Sequence, residues 1–108
     1  MKTASLLAAS AMLAFAFNAS AAVDADAATK ALKDNGCTTC HSVDKTKKGP
    51  AFKKIAADNK GKADAEAKLT KFITTSPTVK MDDGSQEEHK AIKDPAAAKT
   101  VVQFILAQ

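Results

Sequence analysis

Two cysteines and a histidine stand together in the segment Cys37-Thr38-Thr39-Cys40-His41. The two cysteines are the only ones in the chain of 108 residues, and the histidine is one of two. Thiols at positions i and i+3 of a short helical turn lie on one side of the chain, so both can add to vinyl groups along one edge of a porphyrin. The next residue then carries an imidazole beneath the ring, where its Nε2 can ligate iron. The spacing therefore predicts covalent attachment of one haem c per chain, with His41 as an axial ligand.

Three other uses of these residues explain the pattern less well. A thioredoxin-like dithiol needs a strand that runs into the motif, whereas the Ala- and Lys-rich flanks favour helices. A zinc site would have to combine the motif with His89, without the paired ligand spacing of structural zinc sites. A disulfide between Cys37 and Cys40 would close a very small loop, and it gives no reason for the adjacent histidine. Covalent haem is therefore the favoured interpretation.

The first residues have the layout of a secretory signal peptide. Lys2 makes the start positive, residues 6–17 form an apolar run, and Ala-Ser-Ala at 19–21 is typical of a cleavage site. The apolar run is shorter than the ~20 residues of a spanning helix, so an uncleaved anchor is less favoured. We expect cleavage after Ala21 or Ala22. Export to a bacterial periplasm agrees with the motif, because haem is attached to such chains outside the cytoplasm.

Residues 1–21 are thus expected to be removed, and residues 22–108 to form one small domain with no stable membrane insertion. Removal of Lys2 lowers the net charge from +4 to about +3, and every other basic side chain is also a lysine. This modest surplus favours docking onto acidic redox partners. Carboxylates are mixed among the lysines without an aromatic-interleaved basic stripe, which argues against nucleic acid. Only three phenylalanines follow residue 21, so the haem would supply much of the apolar core.

Apolar residues recur at helical spacing in four segments, residues 26–33, 50–59, 64–74 and 94–106. Asn35-Gly36 and Ser76-Pro77 are stop signals after the first and third segments. Pro50 can open the second, and Asp94 with Pro95 favours a capped start for the last. No segment has the alternation of a strand. The pattern predicts an all-α domain of short helices.

Together these features resemble a small bacterial class I cytochrome c. The resemblance covers the mature region and rests on the helix that ends at the cysteine motif, the segment Lys48-Gly49-Pro50-Ala51-Phe52, a methionine-bearing loop and a closing helix. It implies the all-α cytochrome c fold, with about four short helices around one covalent haem. The N- and C-terminal helices would cross, and Phe104 is a candidate for that contact.

The resemblance also implies roles for single residues. The Pro50 carbonyl would accept a hydrogen bond from His41 and so fix the orientation of the imidazole. The haem pocket would be lined by apolar side chains, namely Phe52, Ile55, Leu69, Phe72 and Ile73. These positions are expected to form core around the ring rather than to do chemistry of their own.

The sixth ligand of the iron is the open question. Met81 is the only methionine after residue 21, and it lies between a proline-containing loop and the last helix, where class I cytochromes place their distal methionine. The resemblance therefore implies His41/Met81 ligation, with the higher reduction potential that a thioether gives. However, the stretch from Met81 to Asp94 is longer than in many family members. His89 lies closer to the last helix, so a bis-histidine iron with His41 and His89 is the alternative.

With protein ligands on both sides of the iron, outer-sphere electron transfer is the remaining chemistry. We therefore expect a monomeric one-electron carrier between larger redox proteins, and not an enzyme. Exposed lysines near the haem edge would steer docking: Lys45, Lys47, Lys48 and Lys53. The alternatives are a haem-based binder or sensor of small ligands, if the sixth ligand is displaced, and a peroxidase, for which His89 is the only candidate base.

Overall fold

The computed structural model describes residues 23–108, so the predicted signal peptide and its cleavage sites lie outside the described residues. Within these residues, four α-helices follow one another: α1 (Ala25–Asp34), α2 (Phe52–Asn59), α3 (Ala65–Thr74) and α4 (Pro95–Leu106). A 3₁₀ turn (Cys37–Thr39) follows α1, and two short strands, β1 (Thr78–Lys80) and β2 (Gln86–Glu88), lie between α3 and α4. The helical content confirms the predicted all-α class. Within residues 23–108, no helix is long and apolar enough to cross a membrane.

Side-chain caps begin the first and last helices. Asp24 accepts a hydrogen bond from the Ala27 N–H at 2.9 Å, and Asp94 accepts one from the Ala96 N–H at 3.0 Å. Each carboxylate satisfies a backbone donor that has no partner inside the helix, and its charge suits the positive end of the helix dipole. The predicted start of α2 at Pro50 was two residues too early, since the helix begins at Phe52. Pro50 lies before it, and its carbonyl is free for another partner.

The C-terminal helix lies at the centre of the fold. α4 packs against α1, α2 and α3, and its inward residues Ala98, Val101, Val102 and Ile105 are buried. The predicted contact of the terminal helices is therefore present. The Phe104 ring, expected at that contact, meets the edge of Phe52 in α2 at a centroid distance of 6.5 Å. α4 thus forms the wall against which the other helices are held.

The hairpin between α3 and α4 was not predicted. β1 and β2 pair antiparallel, with Thr78 opposite Glu88 and Lys80 opposite Gln86. Gly84 at the turn has a φ of 85°, a backbone conformation that favours glycine. The prediction of no strand was wrong because each strand has only three residues and the second is entirely polar. The Asp-Gly pair at the turn was the one available signal.

Candidate haem site

The attachment motif is held at the end of α1 by local backbone geometry. Gly36 adopts a φ of 69° and turns the chain out of the helix. The N–H groups of Cys40 and His41 then donate to the Cys37 carbonyl at 3.2 and 3.0 Å. This tight turn brings both half-buried cysteines to the wall of one cavity. The placement is the one that attachment along one edge of a ring requires.

The cavity has a volume of about 390 Å³ and is mostly apolar. Its walls come from every helix, and all the residues expected to line the pocket do so: Phe52, Ile55, Leu69, Phe72 and Ile73. Buried residues of the core, among them Leu32 and Ile105, also line it, so it is continuous with the centre of the fold. An apolar cleft of this size, with two thiols and an imidazole on its wall, fits a covalently held macrocycle.

The His41 ring is fixed from two sides. Its Nδ1 lies 2.7 Å from the Pro50 carbonyl oxygen, the hydrogen bond that the resemblance implied. Because a carbonyl can only accept, Nδ1 carries the hydrogen, and the lone pair of Nε2 is free to ligate a metal. The ring also stacks on Phe52 at a centroid distance of 5.3 Å and an interplanar angle of 18°.

Gly49 is a site residue whose role the sequence analysis missed. A Cβ at this position would lie 2.9 Å from both ring nitrogens of His41 and closer still to Cε1. Its N–H donates to the Cys40 carbonyl at 2.7 Å, which draws the loop against the motif. A glycine is therefore required by the close approach of the backbone to the imidazole. The Gly-Pro pair was interpreted as a turn, and no local pattern indicates which ring it would meet.

The hairpin brings both candidate sixth ligands to the cavity wall. Met81 follows β1 directly and is half-buried beside the turn of the hairpin. His89 follows β2, and its ring centroid lies 6.2 Å from that of His41. The Nδ1 of His89 donates to the Lys90 carbonyl at 2.9 Å. The ring centroids of His89 and Phe72 are 5.0 Å apart, and their planes are inclined at 66°. The two histidine rings therefore share one end of the cavity.

Burial acts on two ionisable groups of this cavity. It lowers the pKa of His89 below its ordinary value, so the neutral imidazole is favoured. It also raises the pKa of the Cys37 thiol, an effect that the nearby Lys90 ammonium partly opposes. Both shifts have the same cause, since an apolar wall disfavours charge.

The described part of the chain offers no support for the zinc alternative. No group of three or more His, Cys, Asp or Glu side chains within residues 23–108 is close enough to hold a metal ion. Cys37 and Cys40 are not joined to each other by a disulfide.

Comparison with known proteins identifies the family of this chain. Residues 25–108 match the family model of cytochrome c. The fold is also similar to the crystal structure of class 1 cytochrome MtoD from Sideroxydans lithotrophicus, with 48% identity and a TM-score of 0.77 over 80% of this chain and 97% of that one. The chain is a small class I c-type cytochrome. Its two cysteines and His41 fit one covalently attached haem c.

Further relatives of this cytochrome come from other bacteria. Cytochrome c-551 of Pseudomonas aeruginosa is 34% identical in an alignment of 82 residues that covers 70% of this chain and 71% of the relative. Cytochrome c-551 of Pseudomonas denitrificans is 35% identical over 74 residues, which are 68% of this chain and 88% of the relative. The structure of Nitrosomonas europaea cytochrome c552 has 29% identity and a TM-score of 0.63, over 73% of this chain and 96% of that one.

Proposed function

We propose that this cytochrome is a periplasmic one-electron carrier between larger redox proteins and not an enzyme. The observation that carries the proposal is that His41 and both candidate ligands of the hairpin, Met81 and His89, line one apolar cavity. The haem iron supplies the chemistry, since it takes up and releases one electron. Protein ligands on both sides leave no position at which a substrate could bind the iron.

The chain's own residues have defined parts in this proposal. Cys37 and Cys40 would hold a haem by thioether bonds, and His41, oriented by the Pro50 carbonyl, would be the fifth ligand of its iron. The sixth ligand comes from the hairpin. The family resemblance favours Met81 for that position. The long stretch between Met81 and the last helix favours His89, which lies closer to that helix. Both side chains line the cavity.

The lysines around the attachment turn support docking onto acidic partners. The Lys47 ammonium donates to the Thr38 carbonyl at 2.7 Å, so a positive charge lies directly over the motif. Lys45 and Lys48 are exposed on the same loop, and Lys53 pairs with the Asp44 carboxylate. A basic patch beside the ring edge would bring an acidic partner close to the electron, with the carrier acting as a monomer.

One experiment tests the carrier against its main rival, a binder of small ligands. The reduced holoprotein is mixed with carbon monoxide at neutral pH while the Soret band is recorded. A carrier with both axial positions filled leaves the spectrum unchanged, and a redox titration follows a one-electron curve. Rapid formation of a carbon monoxide complex by the wild-type protein would replace the carrier proposal with the ligand-binding one.

Localisation and docking have separate tests. The mass of the mature holoprotein from a bacterial periplasmic extract should equal that of residues 22–108 or 23–108 plus one haem. Electron transfer to an acidic redox protein should slow as ionic strength rises, because salt screens the lysine patch. Rates that are independent of salt would remove the steering role of Lys45, Lys47, Lys48 and Lys53 and leave the carrier function intact.

A further inference from the structure

The register of the hairpin separates Met81 from His89 along the cavity. At the open end the His89 N–H donates to the Pro77 carbonyl at 2.9 Å, and at the turn end the Met81 N–H donates to the Ser85 carbonyl at 2.8 Å. Pro77 lies directly before β1 and Met81 directly after it, so the two residues are four positions apart, which is about 13 Å of extended chain. A hairpin held in this register therefore presents the two side chains at different places, and only one of them can stand opposite His41.

The distance between the two imidazoles is the distance expected across one metal ion. A ligating imidazole nitrogen lies about 2.0 Å from a first-row metal. The same nitrogen lies about 1.1 Å from the centre of its own ring, since the ring bonds are about 1.35 Å long. Two rings on opposite sides of one ion should thus have centres about 6.2 Å apart. The centroids of His41 and His89 are 6.2 Å apart.

Both rings are also prepared for ligation in the same way. Each Nδ1 donates to a backbone carbonyl, that of Pro50 for His41 and that of Lys90 for His89. This fixes the tautomer in which Nε2 keeps its lone pair, as is usual for histidines that ligate metals. Each ring also contacts one phenylalanine: Phe52 stacks on His41, and Phe72 makes a T-shaped contact with His89.

We propose that His89, and not Met81, is the sixth ligand, so that this cytochrome has a bis-imidazole iron. The proposal rests on the carrier function, because it names the residue that closes the second axial position. Met81 then covers the cavity beside the hairpin turn as an apolar side chain. A second imidazole stabilises ferrous iron less than a thioether does, so the reduction potential should lie below that of a variant with methionine ligation.

The wild-type holoprotein itself provides the first test. Iron–thioether ligation gives a weak ferric band at the red edge of the visible spectrum, and a bis-imidazole iron lacks it. We expect a low-spin ferric spectrum without that band, both in the wild type and in Met81→Leu. A red-edge band in the wild type that is lost in Met81→Leu would overturn the proposal.

Variants at position 89 complete the test. His89→Ala should lose the low-spin ferric spectrum and bind carbon monoxide when reduced, whereas Thr78→Ala, an exposed change in the same hairpin, should do neither. His89→Met should gain the red-edge band and a higher potential. A His89→Ala protein that keeps the wild-type spectrum would also overturn the proposal.

The test separates this inference from the carrier function. If the wild type resists carbon monoxide and shows the red-edge band, the carrier function stands and His89 is not the ligand. If the wild type binds carbon monoxide readily, neither residue closes the site, and both proposals fail.

Discussion

Replacement of Gly49 by alanine should damage the site through one steric contact. The added Cβ would lie 2.9 Å from Nδ1 and Nε2 of His41, whereas nonbonded atoms normally stand about 3.5 Å apart. The imidazole would have to recede by roughly 1 Å, because its Cε1 would lie closer still to the added Cβ than the two nitrogens do. That movement would lengthen its 2.7 Å hydrogen bond to Pro50 past the usual range. Gly49 does not have a positive φ, so alanine fits the backbone and the clash is the only cause.

The size of the effect follows from two costs. Overpacking at a tight site costs about 1–3 kcal/mol. Loss of the hydrogen bond to Pro50 costs about 0.5–1.5 kcal/mol. The free energy of unfolding should fall by about 2–4 kcal/mol, which in a domain of this size lowers Tm by on the order of 10–20 °C. The ferric spectrum and the reduction potential should change as well, because His41, the proposed fifth ligand, would be displaced.

Thermal unfolding of the holoprotein, followed by circular dichroism and by the Soret band, measures both effects. Gly61→Ala is the matched control: its Cβ would meet nothing within 4 Å, but its φ is 77°. It should cost about 1–2 kcal/mol through backbone strain alone and leave the spectrum unchanged. If Gly49→Ala has the wild-type Tm, spectrum and potential, the His41 ring does not lie against residue 49, and the reasoning is refuted.

Three further changes have expected outcomes. Phe72→Ala removes the ring that contacts His89, so the reduced Phe72→Ala protein should bind carbon monoxide faster than the reduced Phe72→Leu protein. Equal rates would show that Phe72 does not position His89. The double variant Cys37→Ala/Cys40→Ala cannot attach haem, and the empty cavity would then lie at the centre of the core. This variant should be largely unfolded by far-UV circular dichroism. A native spectrum with a sharp thermal transition would contradict this. The Ser85 hydroxyl and N–H donate to the Asp83 carboxylate and lower the pKa of Asp83. The ionised carboxylate therefore stabilises the folded state at pH values above the ordinary Asp pKa. This stabilisation is lost as pH falls through the lowered pKa. Chemical denaturation from pH 7 to pH 2 should show a smaller loss of stability in Asp83→Asn than in the wild type, and identical profiles would refute the linkage.

Local signals predicted most of the helical framework. Asp94 and Pro95 marked the start of α4, and the structure has the expected cap. Asn35-Gly36 marked the end of α1, and Gly36 has the left-handed conformation that such a stop needs. These predictions succeeded because caps and stops depend on contacts within one turn of the chain. Local signals did not predict the hairpin, because its strands are short and its register depends on pairing across the turn.

The haem motif is the part of this protein that its sequence determines alone. The two thiols and the imidazole belong to five consecutive residues, so Cys37, Cys40 and His41 lie together in any compact turn. The sequence does not decide the sixth ligand in the same way, because Met81 and His89 are both single residues at suitable positions. The proposal that His89 faces His41 rests on the hairpin register, the hydrogen bond to the Lys90 carbonyl and the contact with the Phe72 ring. Ligation depends on distances of a few ångströms between segments about fifty residues apart, and such distances are set by tertiary packing.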